Sequence, residues 1–184
     1  MLKSLKIGNF KCLDGLDIEF GPHALLLGLN GSGKSTVIEV LHRLRRFLIG
    51  GERARDCFPA STRTKWSTSP TQTVELELAH NGELYSIKIE LAPPNETGSV
   101  TLLYEQLKTP KELLARNHTG GQVIDVARNT GGVVSIPLEL SALPLVLTLQ
   151  PVPQQLPLLL HHVSDLLPFH LNPTRLDSVV QSPS

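Results

Sequence analysis

Cysteine is scarce in this 184-residue chain, and the two present, Cys12 and Cys57, are too few and too poorly flanked to build a disulfide framework or a metal site. A reducing cytoplasm is the expected setting, with both thiols buried by default. Net charge is missing too, since 17 Lys and Arg balance 17 Asp and Glu. That balance argues against a basic nucleic-acid binder and against a polyanionic tail. The basic run His42-Arg43-Leu44-Arg45-Arg46 reads as a solvated helix face. Long apolar runs are also lacking. Met1 to Lys6 carries charge where a signal peptide needs an apolar core. The richest apolar region, Leu138 to Leu167, is broken by Pro144, Pro151, Pro153 and Pro157, so it reads as soluble core and no membrane span is expected. The seven histidines show no HExxH or paired-cysteine spacing, which excludes a metal site of those kinds. What remains is a 40% hydrophobic chain, long enough for a sizeable core in one domain.

The most specific feature present is Gly28-Leu29-Asn30-Gly31-Ser32-Gly33-Lys34-Ser35, which fits GxxxxGK[ST], the Walker A or P-loop pattern. Glycines at 28, 31 and 33 let the backbone wrap a polyphosphate and present successive N–H groups to its oxygens at the start of a helix. Lys34 is expected beside the β- and γ-phosphates, the Ser35 hydroxyl on Mg²⁺, and Thr36 at an inner phosphate. Asn30 either meets a phosphate edge or favours the turn. A motif of this kind counts when a strand enters it and a helix leaves it. His23-Ala24-Leu25-Leu26-Leu27, bounded by Gly21-Pro22 and Gly28, is expected to be a buried central strand. Lys34 to Leu48 reads as a helix whose apolar stripe is Val37, Ile38, Leu41, Leu44 and Leu48, with Gly50-Gly51 as its stop. Nucleoside triphosphate binding follows from the motif and its flanks together.

Five stretches organise the chain. Residues 1–50 hold a β-hairpin, with strands at Leu5 to Phe10 and Leu16 to Phe20 about an Asp14-Gly15 turn, followed by the P-loop strand and helix. Residues 51–72, rich in Arg, Ser and Thr, form a surface loop. Residues 73–137 read as an antiparallel β-meander: Val74 to Ala79, an Asn81-Gly82 turn, Leu84 to Leu91, Val100 to Leu107, Val123 to Arg128 and Val133 to Ile136. Residues 138–173 are an apolar segment with a helix over Leu156 to Leu167 and an extended exit at Pro168 to Pro173. Residues 174–184 are a weakly ordered tail.

An N-terminal P-loop preceded by a hairpin and followed by a meander resembles the ABC-type ATPase head. More narrowly, Leu5-Lys6-Ile7-Gly8-Asn9-Phe10-Lys11 followed by GLNGSGKSTVIEVLHRL resembles the SMC/RecF-like group, including the AAA-type ATPases related to the overcoming-lysogenization-defect nucleases. The resemblance is close over residues 2–48 and thinner over 73–108. It implies an α/β fold, a P-loop NTPase of ABC/SMC-head type that is incomplete here, with an antiparallel β-meander subdomain. It implies ATP and Mg²⁺ as cofactors and places Asn9, Phe10 and Lys11 near adenine and ribose. For Phe10 alone, packing into the core is the favoured reading.

The chain departs from that group in what hydrolysis needs. A Walker B strand, four apolar residues leading into Asp-Glu, is missing from the sequence, and Asp165 is a poor match for its acid. The LSGG-like signature and late switch histidine are missing as well, and Gln106 is the candidate for the Q-loop position. A truncated gene is the first-ranked explanation, ahead of a split ATPase or a free-standing relic. No catalytic residue is assigned, so ATP hydrolysis is expected only if a missing lobe or partner chain completes the site. The leading expectation is an ATP·Mg-binding N-terminal lobe, partnered by a C-terminal ATPase lobe or by a second copy in a head-to-head dimer. The alternative is a nucleotide-regulated interaction module in a DNA-repair or phage-defence complex with a DNA-processing partner. A complete enzyme using Glu75, Glu77 or Asp125 in place of Walker B ranks third, because alternating strands usually carry solvent-facing acids.

Overall fold

The computed structural model describes residues 1–110, 112–117, 120–125, 130–134, 136–146, 161 and 163. The expected helix over Leu156 to Leu167, the extended exit to Pro173, the tail and Asp165 lie outside these, apart from the two isolated positions. Eight strands form one antiparallel sheet in the order β2-β1-β3-β4-β5-β6-β7-β8. They are β1 (Leu2–Gly8), β2 (Leu16–Glu19), β3 (Gln72–His80), β4 (Glu83–Leu91), β5 (Leu102–Lys108), β6 (Glu112–Asn117), β7 (Gly120–Asp125) and β8 (Thr130–Val134). The hairpin and the meander therefore share a single sheet, because β1 pairs with β3 as well as with β2.

Alternation builds the sheet's two faces. In β3 and β4, Val74, Leu76, Leu78, Tyr85, Ile87, Ile89 and Leu91 are buried, while Glu75, Glu77, Lys88 and Glu90 occupy the other face. Glu75 and Glu77 stand opposite Lys88 and Ser86 in the ladder, and Ser4 donates to Glu77 Oε2 at 3.0 Å. The β3–β4 turn is Asn81-Gly82, with φ of 51° and 81°, the double left-handed geometry that a tight two-residue hairpin requires.

Helix α1 (Lys34–Leu48) buries Val37, Val40, Leu44, Phe47 and Leu48. Its stripe is thus rotated from the one expected, with Ile38 and Leu41 at its margin. The cause is tertiary: Phe47 and Phe10 both meet Phe58 edge to face, with centroids 6.1 and 6.3 Å apart, and this trio draws the helix face round. Phe58 follows the short helix α2 (Ala54–Cys57), and a single 3-10 turn occupies Ala60–Thr62. Arg45 and Arg46 in the last turn of α1 complement its dipole.

The segment ahead of the P-loop departs from expectation. Residues 21–29 form no ladder, and Leu25, Leu27 and Leu29 are 79%, 80% and 85% exposed, while Leu26 packs on the core. The buried central strand expected at 23–27 is not formed. A buried strand needs hydrogen-bonded neighbours on both edges, and among the described residues none lies beside this segment.

A buried charge cluster fixes the far part of the meander. Arg116 on β6 donates from Nε to Glu105 Oε2 on β5 at 2.6 Å, and both side chains are almost wholly buried. Ser141 donates to Glu105 Oε1 at 2.6 Å and the Ala142 N–H to Oε2 at 3.0 Å. Arg116 also donates to the carbonyls of Ile136, Pro137 and Leu140. The cluster holds residues 136–142 against β5 and leads into the short helix α3 (Leu143–Val146).

Candidate functional site

Gly33 opens α1 in the left-handed region, at φ 95°, with no side-chain cap and no acid in the first turn. The first N–H groups of α1 therefore have no built-in anion in front of them, which is the arrangement a phosphate requires. Two constraints make residue 33 glycine. A Cβ there would lie 2.7 Å from Leu13 Cδ2 and 3.2 Å from Cys12 Sγ, besides the positive φ. Gly31 is also left-handed, at φ 82°, but opens onto free space. At Gly28 a Cβ would crowd Ser32 Oγ at 2.7 Å. The Lys34 ammonium folds back into the loop, donating to the carbonyls of Gly28 and Leu29 at 2.6 and 2.7 Å and to Ser32 Oγ at 3.4 Å. Leu29, Asn30, Gly31, Ser32 and Ser35 are exposed, and Thr36 is half-buried. Loop, lysine and serine are thus brought together on one accessible surface, and the donor set suits a polyphosphate with its Mg²⁺. Among the described residues no group of His, Cys, Asp and Glu could hold a metal by itself.

The tip of the β1–β2 hairpin leans on this loop. Cys12 Sγ lies 3.6 Å from Thr36 Oγ1, and the Lys11 ammonium contacts both Glu39 carboxylate oxygens, at 2.5 and 2.7 Å. Arg43 donates to the same carboxylate at 2.9 Å and to the Cys57 carbonyl at 2.6 Å. Burial pushes the Glu39 carboxyl up, but hydrogen bonds from Lys11 and Arg43, and their charges, more than offset it and hold it below its ordinary value of 4.5. A depressed carboxyl contributes stability that is complete above the unfolded-state value and is lost as pH falls through the folded one. Urea midpoints of wild type should therefore drop as pH is lowered below about 4.5, and Glu39→Gln should be less stable at neutral pH with a smaller acid loss. Parallel acid profiles for the two proteins would refute the role given to Glu39.

The three hairpin-tip candidates separate. Asn9 is 2% exposed and its side chain is fully engaged: Nδ2 donates to the Ser69 and Thr71 carbonyls at 2.7 and 3.3 Å, and Oδ1 accepts the Thr64 N–H at 2.9 Å. Phe10 is 1% exposed, in the aromatic trio, as its favoured packing reading has it. Lys11 keeps a partly exposed ammonium, tied to Glu39. Only the last could extend toward a nucleotide without breaking the core.

Other candidates sit elsewhere. Gln106 lies within β5, between Lys88 and Ala115, three strands along the sheet from β1. Asp125 is on β7, and neither Glu75 nor Glu77 on β3 bonds to Lys34 or Ser35. The basic run on α1 is spent internally, with Arg43 on Glu39 and Arg46 on Glu52. The cysteines divide: Cys57 is buried and its thiol is pushed up to about 12 by burial and by the Glu52 charge, so it is inert at neutral pH. Cys12, expected in the core, is exposed beside the loop, because the close packing of Leu13 on Gly33 leaves its neighbour outside. No helix among the described residues is long and apolar enough to cross a membrane.

Residues 4–158 match the protein family described as the AAA domain. The chain belongs to that family. The AAA domain is an ATPase-type nucleotide-binding domain, and its fold here is α/β, a P-loop and its helix set against an antiparallel meander. A curated relative, an OLD nuclease of Thermus scotoductus (strain ATCC 700910 / SA-01), is 42% identical over 41 residues, which make up 22% of this chain. The chain spans 8% of that relative's length. A solved structure from work on ATP-driven dimerization and DNA-stimulated activation of SMC ATPases aligns with a TM-score of 0.40 at 18% identity, over 55% of this chain and 67% of that one.

Proposed function

We propose that this AAA domain is the ATP·Mg-binding lobe of an SMC/RecF-like ATPase, acting in the cytoplasm, with water activation supplied by a lobe or partner chain that carries the Walker B acid. The observation that carries the reading is the cradle at residues 28–36: a left-handed Gly33, an uncapped helix start free of acids, and Lys34 held inside the loop. ATP would be held by the backbone of Gly28 to Gly33, by Lys34 and by Thr36, with Ser35 on the Mg²⁺. Lys11 is the one hairpin-tip side chain retained for the nucleotide, and Asn9 and Phe10 shape the tip from within. The bound metal's chemistry would be to neutralise phosphate charge, while among the described residues no carboxylate bonds to Lys34.

The exposed leucines support the second half of the reading. Leu25, Leu27 and Leu29 point outward at a strand's two-residue spacing, directly before the loop. An apolar strand of the completing lobe, or of a second copy in a head-to-head arrangement, would pair there. The same patch favours the second reading, a nucleotide-regulated interaction module of a DNA-repair or phage-defence complex.

Phosphate release separates binding from hydrolysis. The purified chain with ATP and Mg²⁺ should release no more phosphate than Lys34→Ala prepared in parallel. Release clearly above that control would mean that a complete catalytic site exists in this chain.

A further inference from the structure

The loop between α2 and β3 turns at Lys65-Trp66, and both residues are exposed, the indole to 67%. It is the chain's one tryptophan. A large aromatic left in water forfeits the stabilisation that burying it would bring, and an indole held out on a braced loop is a surface for a partner. The bracing is extensive. Asn9 clamps the neck through Ser69, Thr71 and Thr64, as above, and Gln72 Nε2 donates to the Asn9 and Thr62 carbonyls at 2.8 and 3.2 Å. Arg63 donates to the Pro70 carbonyl, closing the loop at its base. The tip is therefore presented by a fixed frame.

The loop's charge indicates what the partner is. From Cys57 to Val74 the sequence carries Arg63 and Lys65 and no Asp or Glu. Lys65 has no ion-pair partner among the described residues, in contrast to Arg43 and Arg46 on α1, which are each neutralised by a glutamate. Burial alone depresses the Arg63 guanidinium, with no acid beside it in compensation. An exposed indole next to an exposed, unpaired lysine is the pairing that binds single strands, in which the base stacks and the phosphodiester meets the cation.

We propose that the Lys65-Trp66 turn is a stacking platform for an unpaired base of single-stranded nucleic acid, with Trp66 against the base face and Lys65 at the adjoining phosphate. This site does not depend on the ATP reading, and its test needs no nucleotide.

With one tryptophan, intrinsic fluorescence reports the proposed contact directly. Titrating the full chain at low salt with an oligothymidylate of about 15 nucleotides should quench the indole, with affinity falling as salt is raised. By anisotropy of a labelled oligonucleotide, Trp66→Ala should bind about ten- to a hundred-fold more weakly. Lys65→Ala should reduce the slope of log affinity against log salt by about one. Both positions are exposed, so thermal melts of the variants should match wild type. Lys34→Ala should bind the oligonucleotide like wild type, which keeps this result separate from ATP binding. Quenching by ATP·Mg without any by the oligonucleotide would assign the indole to the bound nucleotide and overturn the proposal. No quenching by either, unchanged binding by Trp66→Ala, or equal affinity for duplex would also overturn it.

Discussion

Arg116→Ala is expected to destabilise the fold by about 3–5 kcal/mol, a large part of the total stability of a domain this size. The cost comes mainly from what is left behind. Glu105 is 0% exposed, and with the guanidinium gone its charge is compensated only by the Ser141 hydroxyl and the Ala142 N–H. The carbonyls of Ile136, Pro137 and Leu140 lose their donor in the same step. Removing both charges should cost less than removing one, so Glu105→Gln combined with Arg116→Met is expected to recover part of the loss. Urea denaturation of the single and double variants reads this. A single-variant loss under about 1 kcal/mol would mean the pair is not the buried unit described.

Gly33→Ala should impair both stability and nucleotide binding, and should do so more than Gly31→Ala. Both positions are left-handed, at φ 95° and 82°, so each alanine carries a backbone cost of about 1–2 kcal/mol. Position 33 adds a clash with Leu13, which is buried and locked by reciprocal hydrogen bonds with Phe10 at 2.7 and 2.8 Å. Overpacking of this kind costs about 1–3 kcal/mol more. The strain falls on the residue that aims the first N–H groups of α1. Thermal melts and ATP titrations of the two variants together test it. Equal effects at 31 and 33 would show that the hairpin tip does not constrain the loop.

Local chemistry was legible in the sequence and tertiary consequences were not. Asn81-Gly82 between alternating runs specified the β3–β4 hairpin because the turn needs positive φ at both residues. GxxxxGK[ST] likewise marked a loop ahead of a helix. The apolar composition of residues 23–27 signals burial, but it cannot say whether neighbouring strands are present to pair with them. Val40 and Phe47 replaced Ile38 and Leu41 on the buried face of α1 because Phe58, distant in sequence, set the helix rotation. Strand β6 leaves no periodic signal, since Glu-Leu-Leu-Ala-Arg-Asn lacks alternation and its Arg116 is buried against Glu105. The family resemblance puts Asn9 near the nucleotide, and in the structure its polar side chain pins the 62–72 loop. A buried polar hub leaves no periodic trace, though an Asn at φ 57° fits a known tolerance for left-handed backbone. Trp66 carried a signal, an aromatic among hydroxyls and cations, which periodicity does not register.

Calorimetric titration of wild type and Lys34→Ala tests most directly whether residues 28–36 bind ATP with Mg²⁺. Wild type should saturate with one nucleotide per chain. Removing the ammonium should weaken binding by about 1.5–3 kcal/mol, or roughly ten- to a hundred-fold, with the fold intact by circular dichroism. Equal affinities for the two proteins, or no binding by folded wild type, would contradict it.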